Sequence, residues 1–173
     1  MALFSKREMP LRPPDEARKA LNFSWLRPGQ LAGACQPGAW NPFEVDMNIF
    51  AEEGIGAIVN LRERPYVLPP EWQGKFRLVH FHLDDFSVPT IAQMDEIVEV
   101  TEALLDERKP PVFHCMAGIG RTGVVLCALL MAREGVGAPK AVAELAKHRR
   151  GPQSDQQKYF LETEWERHLR KKR

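Results

Sequence analysis

Apolar residues recur at helical spacing through Ile91, Met94, Ile97, Val98, Leu104 and Leu105, which predicts a helix over about 90–107. Upstream, short apolar runs bounded by turn residues predict strands near 31–35, 57–61 and 76–83, with a helix near 43–53. Downstream come a β-branched and aromatic run at Val112 and Phe113, then three helical patterns over about 121–133, 139–149 and 154–169. Strands alternating with helices predict an α/β fold: a mainly parallel central sheet of about four to five strands, with helices on both faces. Residues 1–21 mix charge with Pro10, Pro13 and Pro14 and lack periodicity, which predicts an extended or mobile arm. A single folded domain is then expected over 22–173.

Composition narrows the class. The chain of 173 residues is near the usual size of one domain and long enough to bury a substantial core. A net charge of +1 supplies no field for gathering nucleic acid or a membrane surface, so neither partner is expected. No stretch of about 18 apolar residues occurs, and residues 1–20 lack the apolar run of a signal peptide. Three cysteines, Cys35, Cys115 and Cys127, are too few and too scattered for a disulfide framework. These features predict a soluble, cytoplasmic protein, and with no dimer seam in the surface pattern, a monomer.

Residues 112–123 read VFHCMAGIGRTG: a strand ending at His114 and Cys115, a loop of small residues, then Arg121, Thr122 and Gly123 opening a helix. Such a loop can turn the backbone N–H groups of Met116, Ala117, Gly118, Ile119, Gly120 and Arg121 inward as a ring for phosphoryl oxygens. Phosphate, vanadate or sulfate would fit it. The following helix aims its positive dipole end at the same spot, favouring both a bound dianion and a thiolate at Cys115. Arg121, six positions on, offers a planar fork for two phosphate oxygens. Thr122 is placed to donate to the Cys115 sulfur and so improve it as a leaving group. His114 is expected to point away and orient the loop.

The run HCMAGIGRTG matches the His-Cys-x-x-Gly-x-x-Arg-Thr-Gly signature of the protein tyrosine phosphatase superfamily, and NFSWLRPGQLAG at 22–33 resembles the opening of its small atypical dual-specificity members. The similarity runs to about Leu169. It implies an enzyme that hydrolyses phosphotyrosine, and phosphoserine or phosphothreonine besides, in proteins or peptides through a phosphocysteine intermediate. No cofactor and no metal are implied. The family also needs a general acid on an upstream loop, and HLDDFSVPT at 82–90 fits. Its acid usually stands just before an aromatic or apolar residue, which favours Asp85 over Asp84; either carboxylate could instead cap the loop or the helix near Thr90. Relatives carry a glutamine before an aromatic residue to position the hydrolytic water. QQKYFLE offers Gln156 or Gln157, with a lean to Gln157.

Other readings compete. Arg62 and Arg64 could touch phosphate or orient Asp85, or be solvated charge. His80 and His82 share a strand face, but spacing places no third metal ligand and they are assigned structural roles. Cys127 on the helix after the loop is expected to pack in the core. The run Lys147, His148, Arg149 and Arg150 is either an attractant for phosphorylated substrates or a solvated helix end, and the closing RKKR is read as solvating. Alternative functions are a silent phosphate-binding module, or a phosphatase of a phospholipid or an RNA 5′-phosphate. The uncharged variable positions Met116, Ala117 and Ile119 disfavour the lipid. Sulfur transfer or arsenate reduction fits the Arg-Thr-Gly continuation less well.

Overall fold

β-Branched and aromatic side chains set β5 (Pro111–His114) in the middle of a five-stranded sheet. The computed structural model describes residues 11–172. The strand order is β1 (Ser24–Arg27), β2 (Leu31–Ala34), β5, β3 (Ala57–Asn60) and β4 (Arg77–His80). β2, β5, β3 and β4 run parallel, with Ala34 and Asn60 both in register with His114. β1 joins antiparallel at the edge beside β2. All carboxyl ends of the parallel strands therefore finish at one rim, where open α/β sheets place their ligands.

Helices cover both faces, so the inner strands are buried throughout. One face carries Ala57, Val59 and Phe113 against α3 (Ile91–Asp106), α4 (Gly120–Glu134), α5 (Ala138–Ala146) and the C-terminal helical rod. The other carries Ala32, Ala34, Ile58 and Val112 against α1 (Pro14–Ala20) and α2 (Phe43–Glu52). α4 is buried continuously from Gly120 to Met131, the mark of a central helix, and ends at Gly135 in a left-handed cap. α3 begins with a capping box of Thr90 and Gln93. The C-terminal rod comprises α6 (Asp155–Tyr159), a widened π-type stretch at Phe160–Trp165 and α7 (Glu166–Lys172), pinned by Trp165 Nε1 donating to Ala128 O at 3.0 Å. No helix among the described residues is long and apolar enough to cross a membrane.

The expected arm needs correction. Residues 14–20 form α1, and Ala17 and Leu21 belong to the core, so the folded unit begins before residue 22. Pro14 at the first turn starts this helix rather than extending the chain, because its missing N–H is an unbonded position there anyway. Asn41 Nδ2 donates to Ala17 O at 2.8 Å, and Cys35 N to Leu21 O at 2.8 Å. The part of that expectation falling on residues 1–10 lies outside the described residues. β1 was also not expected as a strand: it is four residues long and depends on its hairpin with β2, whose turn closes by Gln30 N donating to Arg27 O at 2.9 Å.

Candidate active site

At the rim, the chain leaves β5 at His114 and enters α4 at Gly120, and the intervening loop encloses Cys115, only 3% exposed. Each outward carbonyl of the loop has a partner. Cys115 O accepts from His114 Nδ1 at 3.2 Å, Met116 O from Gln36 N at 3.0 Å, Ala117 O from Asn22 Nδ2 at 3.0 Å, Gly118 O from Arg149 Nη2 at 2.6 Å, and Ile119 O from Gly123 N at 3.0 Å. In a planar trans peptide the C=O and the next N–H point in opposite directions, so anchoring the carbonyls outward turns the amides of Met116 to Gly120 inward. None of the amides from Met116 to Arg121 has a hydrogen-bond partner among the described residues. Together with the uncapped start of α4, they make a ring of free donors around Cys115. Gly118 is required there: its φ is +71°, and a Cβ would lie 2.3 Å from Ala34 O.

His114 braces the ring. Its Nδ1 lies on the Cys115 carbonyl, while Nε2 accepts from Tyr66 Oη at 2.9 Å, the pattern of a neutral imidazole. Complete burial pushes its pKa down to about 4, against the pull of the Cys115 carbonyl. The unfolded chain therefore takes up the proton first: His114 contributes stability that is present above about pH 6.5 and is lost as pH falls toward about 4, up to about 3 kcal/mol. Asp46, buried and raised to about 6, acts in the opposite sense, so the comparison must be made within one variant pair. Urea midpoints measured between pH 7 and 4.5 should fall more steeply for wild type than for His114→Asn.

Arg121 is buried with its fork engaged: Nη1 donates to Leu83 O at 2.9 Å and meets Glu63 Oε1 at 3.0 Å, while Nη2 meets Asp85 Oδ1 at 3.1 Å. Nε has no partner. Asp85 is 63% exposed and also accepts from Phe86 N at 3.0 Å. Asp84 instead points to His82 Nε2 at 3.1 Å. Of the two carboxylates, only Asp85 faces Arg121. The loop bearing it is tied to the start of α6, where Ser154 Oγ donates to Phe86 O at 3.3 Å and Gln157 Nε2 to Ser87 O at 3.2 Å. Burial would raise Glu63, but backbone amide bonding and the Arg121 guanidinium hold it below the usual carboxylate value.

Gln157 is buried beside the ring, and a Cβ on Gly120 would lie 3.0 Å from its Nε2; Gln156 is exposed. The Gln157 Oε1 caps α6 by accepting from Gln153 N and Ser154 N at 2.8 and 3.1 Å. Thr122 Oγ1 is buried without a partner, so the expected donation to the Cys115 sulfur is not made in this arrangement. Arg62 does not reach the ring; its guanidinium donates to Gln36 Oε1, bracing the residue that holds Met116 O. Arg64 is exposed. His80 Nε2 is committed to Arg62 O at 2.7 Å, and the described residues contain no group of three His, Cys, Asp or Glu that could hold a metal. Cys127 lies in the core, its thiol pushed up to about 12 by burial.

Sequence reasoning missed Glu63, Asn22, Gln36 and Tyr66, and it missed the place of Arg149 behind the loop. Glu63 sits between two arginines that were singled out, and its place after β3 was the available signal. Asn22 and Gln36 act through single bonds to loop carbonyls, which no spacing encodes. Arg149 was counted with a run whose other members, Lys147, His148 and Arg150, are indeed exposed.

The family model described as "Polymorphic toxin system, DSP-PTPase phosphatase" matches residues 32–135. Tyrosine-protein phosphatase cdc-14 of Caenorhabditis elegans is 28% identical over 153 residues, covering 82% of this chain and 21% of the relative. Tyrosine-protein phosphatase CDC14 of Candida albicans is 24% identical over 124 residues, covering 72% and 23%. The chain thus spans about a fifth to a quarter of the length of these curated relatives. Among solved structures, Tk-PTP in the active form aligns with a TM-score of 0.71 and 28% identity, covering 84% of this chain and 97% of that one. Human DUSP28 aligns at 0.70 with 17% identity over 94% and 99%, a likeness of fold.

Proposed function

Because this chain belongs to the DSP-PTPase phosphatases of the protein tyrosine phosphatase superfamily, we propose that it removes phosphate from phosphotyrosine, and from phosphoserine or phosphothreonine, in proteins through a phosphocysteine intermediate. The observation that carries this reading is the ring of unpartnered amides from Met116 to Arg121 around Cys115, with Arg121 joined to Asp85.

The Cys115 thiolate attacks phosphorus, a sulfur–phosphorus bond forms, and the ester oxygen–phosphorus bond breaks. The amides and Arg121 hold the equatorial oxygens as charge builds. Asp85 gives its proton to the departing oxygen, then accepts one from the water that cleaves the phosphocysteine, and phosphate leaves with the Cys115 thiolate restored. We assign water positioning to Gln157, whose Nε2 end faces the loop. The Thr122 hydroxyl, buried and unpaired, rotates to the thiolate as it is regenerated. Support for a protein substrate comes from the relatives' printed activity and from the rim: Met116 and Phe86 are exposed and apolar, and no loop side chain before Arg121 is cationic. An aryl group has a surface to lie on, while a polyphosphorylated headgroup has no second cation within the loop.

Initial rates on matched phosphotyrosine and phosphothreonine peptides, a phosphoinositide and a 5′-triphosphorylated RNA test the substrate class. The phosphopeptides should lead; a faster rate on the lipid or the RNA would overturn it. Asp85→Asn should lower kcat by about 100-fold on phosphothreonine, whose alkoxide is a poor leaving group, and clearly less on an aryl phosphate with an acidic phenol. Equal losses on both would remove Asp85 from the acid role and bring Asp84→Asn forward.

A further inference from the structure

We infer that Arg149 is a positioning residue for the phosphate loop, setting its shape and field from behind. Arg149 is 6% exposed and forms no ion pair with a carboxylate among the described residues. A guanidinium is costly to bury without such a partner, so its bonds call for a reason. Nη2 donates to Gly118 O at 2.6 Å, Nη1 to Ser24 Oγ at 3.1 Å, and Nε has no partner. Burial pushes its pKa down to about 10, opposed by the Cys115 and Cys35 thiols, so it stays charged at neutral pH.

The bond to Gly118 O has a geometric consequence. Fixing that carbonyl outward points the Ile119 N–H into the ring, since the two lie on opposite sides of one peptide plane. The other outward carbonyls are held by neutral donors; only this one is held by a cation, and charge-assisted bonds are roughly twice as strong. The same cation adds positive potential where the phosphoryl dianion will sit. β2 is built around it: a Cβ on Gly33 would lie 2.3 Å from Arg149 Nη1 and 2.6 Å from its Cζ. Glycine at 33 and arginine at 149, on β2 and after α5, thus form one device for a loop to which neither belongs.

The inference rests on the phosphatase reading, and the experiment separates the two. Aryl phosphate turnover and orthovanadate inhibition, per active site counted by Cys115 alkylation, are measured for wild type, Arg149→Met, Arg149→Lys and Gly33→Ala. Arg149→Met should lower kcat and weaken vanadate by about 10- to 100-fold in parallel, with KM within about threefold, because the loop amides matter most to the trigonal state that vanadate mimics. A role confined to folding would lower the number of active sites and leave vanadate affinity per site unchanged. Arg149→Lys keeps the charge and stem but loses the fork; it should lose several-fold in vanadate affinity, and decides the matter if Arg149→Met does not fold. Gly33→Ala, displacing the guanidinium from the opposite side, should weaken vanadate likewise. Vanadate affinity within twofold of wild type in Arg149→Met, or in Arg149→Lys where only that variant folds, overturns the inference. A wild type with neither turnover nor vanadate inhibition would instead refute the phosphatase reading itself.

Discussion

Cys115→Ser is expected to lower turnover of an aryl phosphate by more than about 10,000-fold while leaving phosphate binding nearly intact, as calorimetric titration with inorganic phosphate would show. The exchange of sulfur for oxygen changes volume little, so the amide ring, Gly118 and the start of α4 should keep their places. What changes is ionisation and nucleophilicity. A thiol surrounded by inward N–H groups can react as its anion, whereas a hydroxyl needs a base to take its proton. Among the described residues no side chain hydrogen-bonds to position 115 as such a base would: His114 has both nitrogens committed, to Tyr66 and the Cys115 carbonyl, and the Asp85 carboxylate lies on Arg121. Retained binding with lost turnover would also separate catalysis from a silent binding module, which would lose nothing on this substitution.

Arg121→Lys should cost about 100- to 1,000-fold in kcat, with a smaller rise in KM, read from steady-state kinetics on the same substrate. Charge is conserved, so the loss measures geometry. The guanidinium spans Leu83 O, Glu63 and Asp85 with two nitrogens, and a single ammonium cannot reach the loop and Asp85 together. In the proposed mechanism, phosphate takes over the Asp85 side of the fork, Asp85 turns toward the leaving oxygen, and Glu63 keeps its contact with Nη1. A lysine variant with kcat within tenfold of wild type would mean that Arg121 supplies charge alone.

The readable part of this protein was the part set by local pattern. The apolar stripe from Ile91 to Leu105, the continuous apolar run of α4 and the short strands fixed the α/β class, because burial on one or both faces writes a period into the chain. Cys115 and Arg121 were legible since their loop is continuous in sequence. Less legible were the features whose cause is tertiary. α1 buries one side chain, Ala17, with Leu21 just past its end, too few to show a period, and β1 exists only through its pairing with β2. Gln157 could not be separated from Gln156 until the start of α6 placed one inside and one outside. Arg149 was hidden by composition: three exposed cationic or imidazole neighbours made a buried guanidinium look like surface charge.

The central claim is that phosphate passes through Cys115, and the direct test is rapid acid quenching of a reaction with 32P-labelled aryl phosphate in the presence of EDTA, followed by peptide mapping. The account predicts transient label on the peptide containing Cys115, longer-lived in Asp85→Asn and absent in Cys115→Ser. Full metal-free turnover with no label on Cys115, or label that persists in Cys115→Ser, would contradict it.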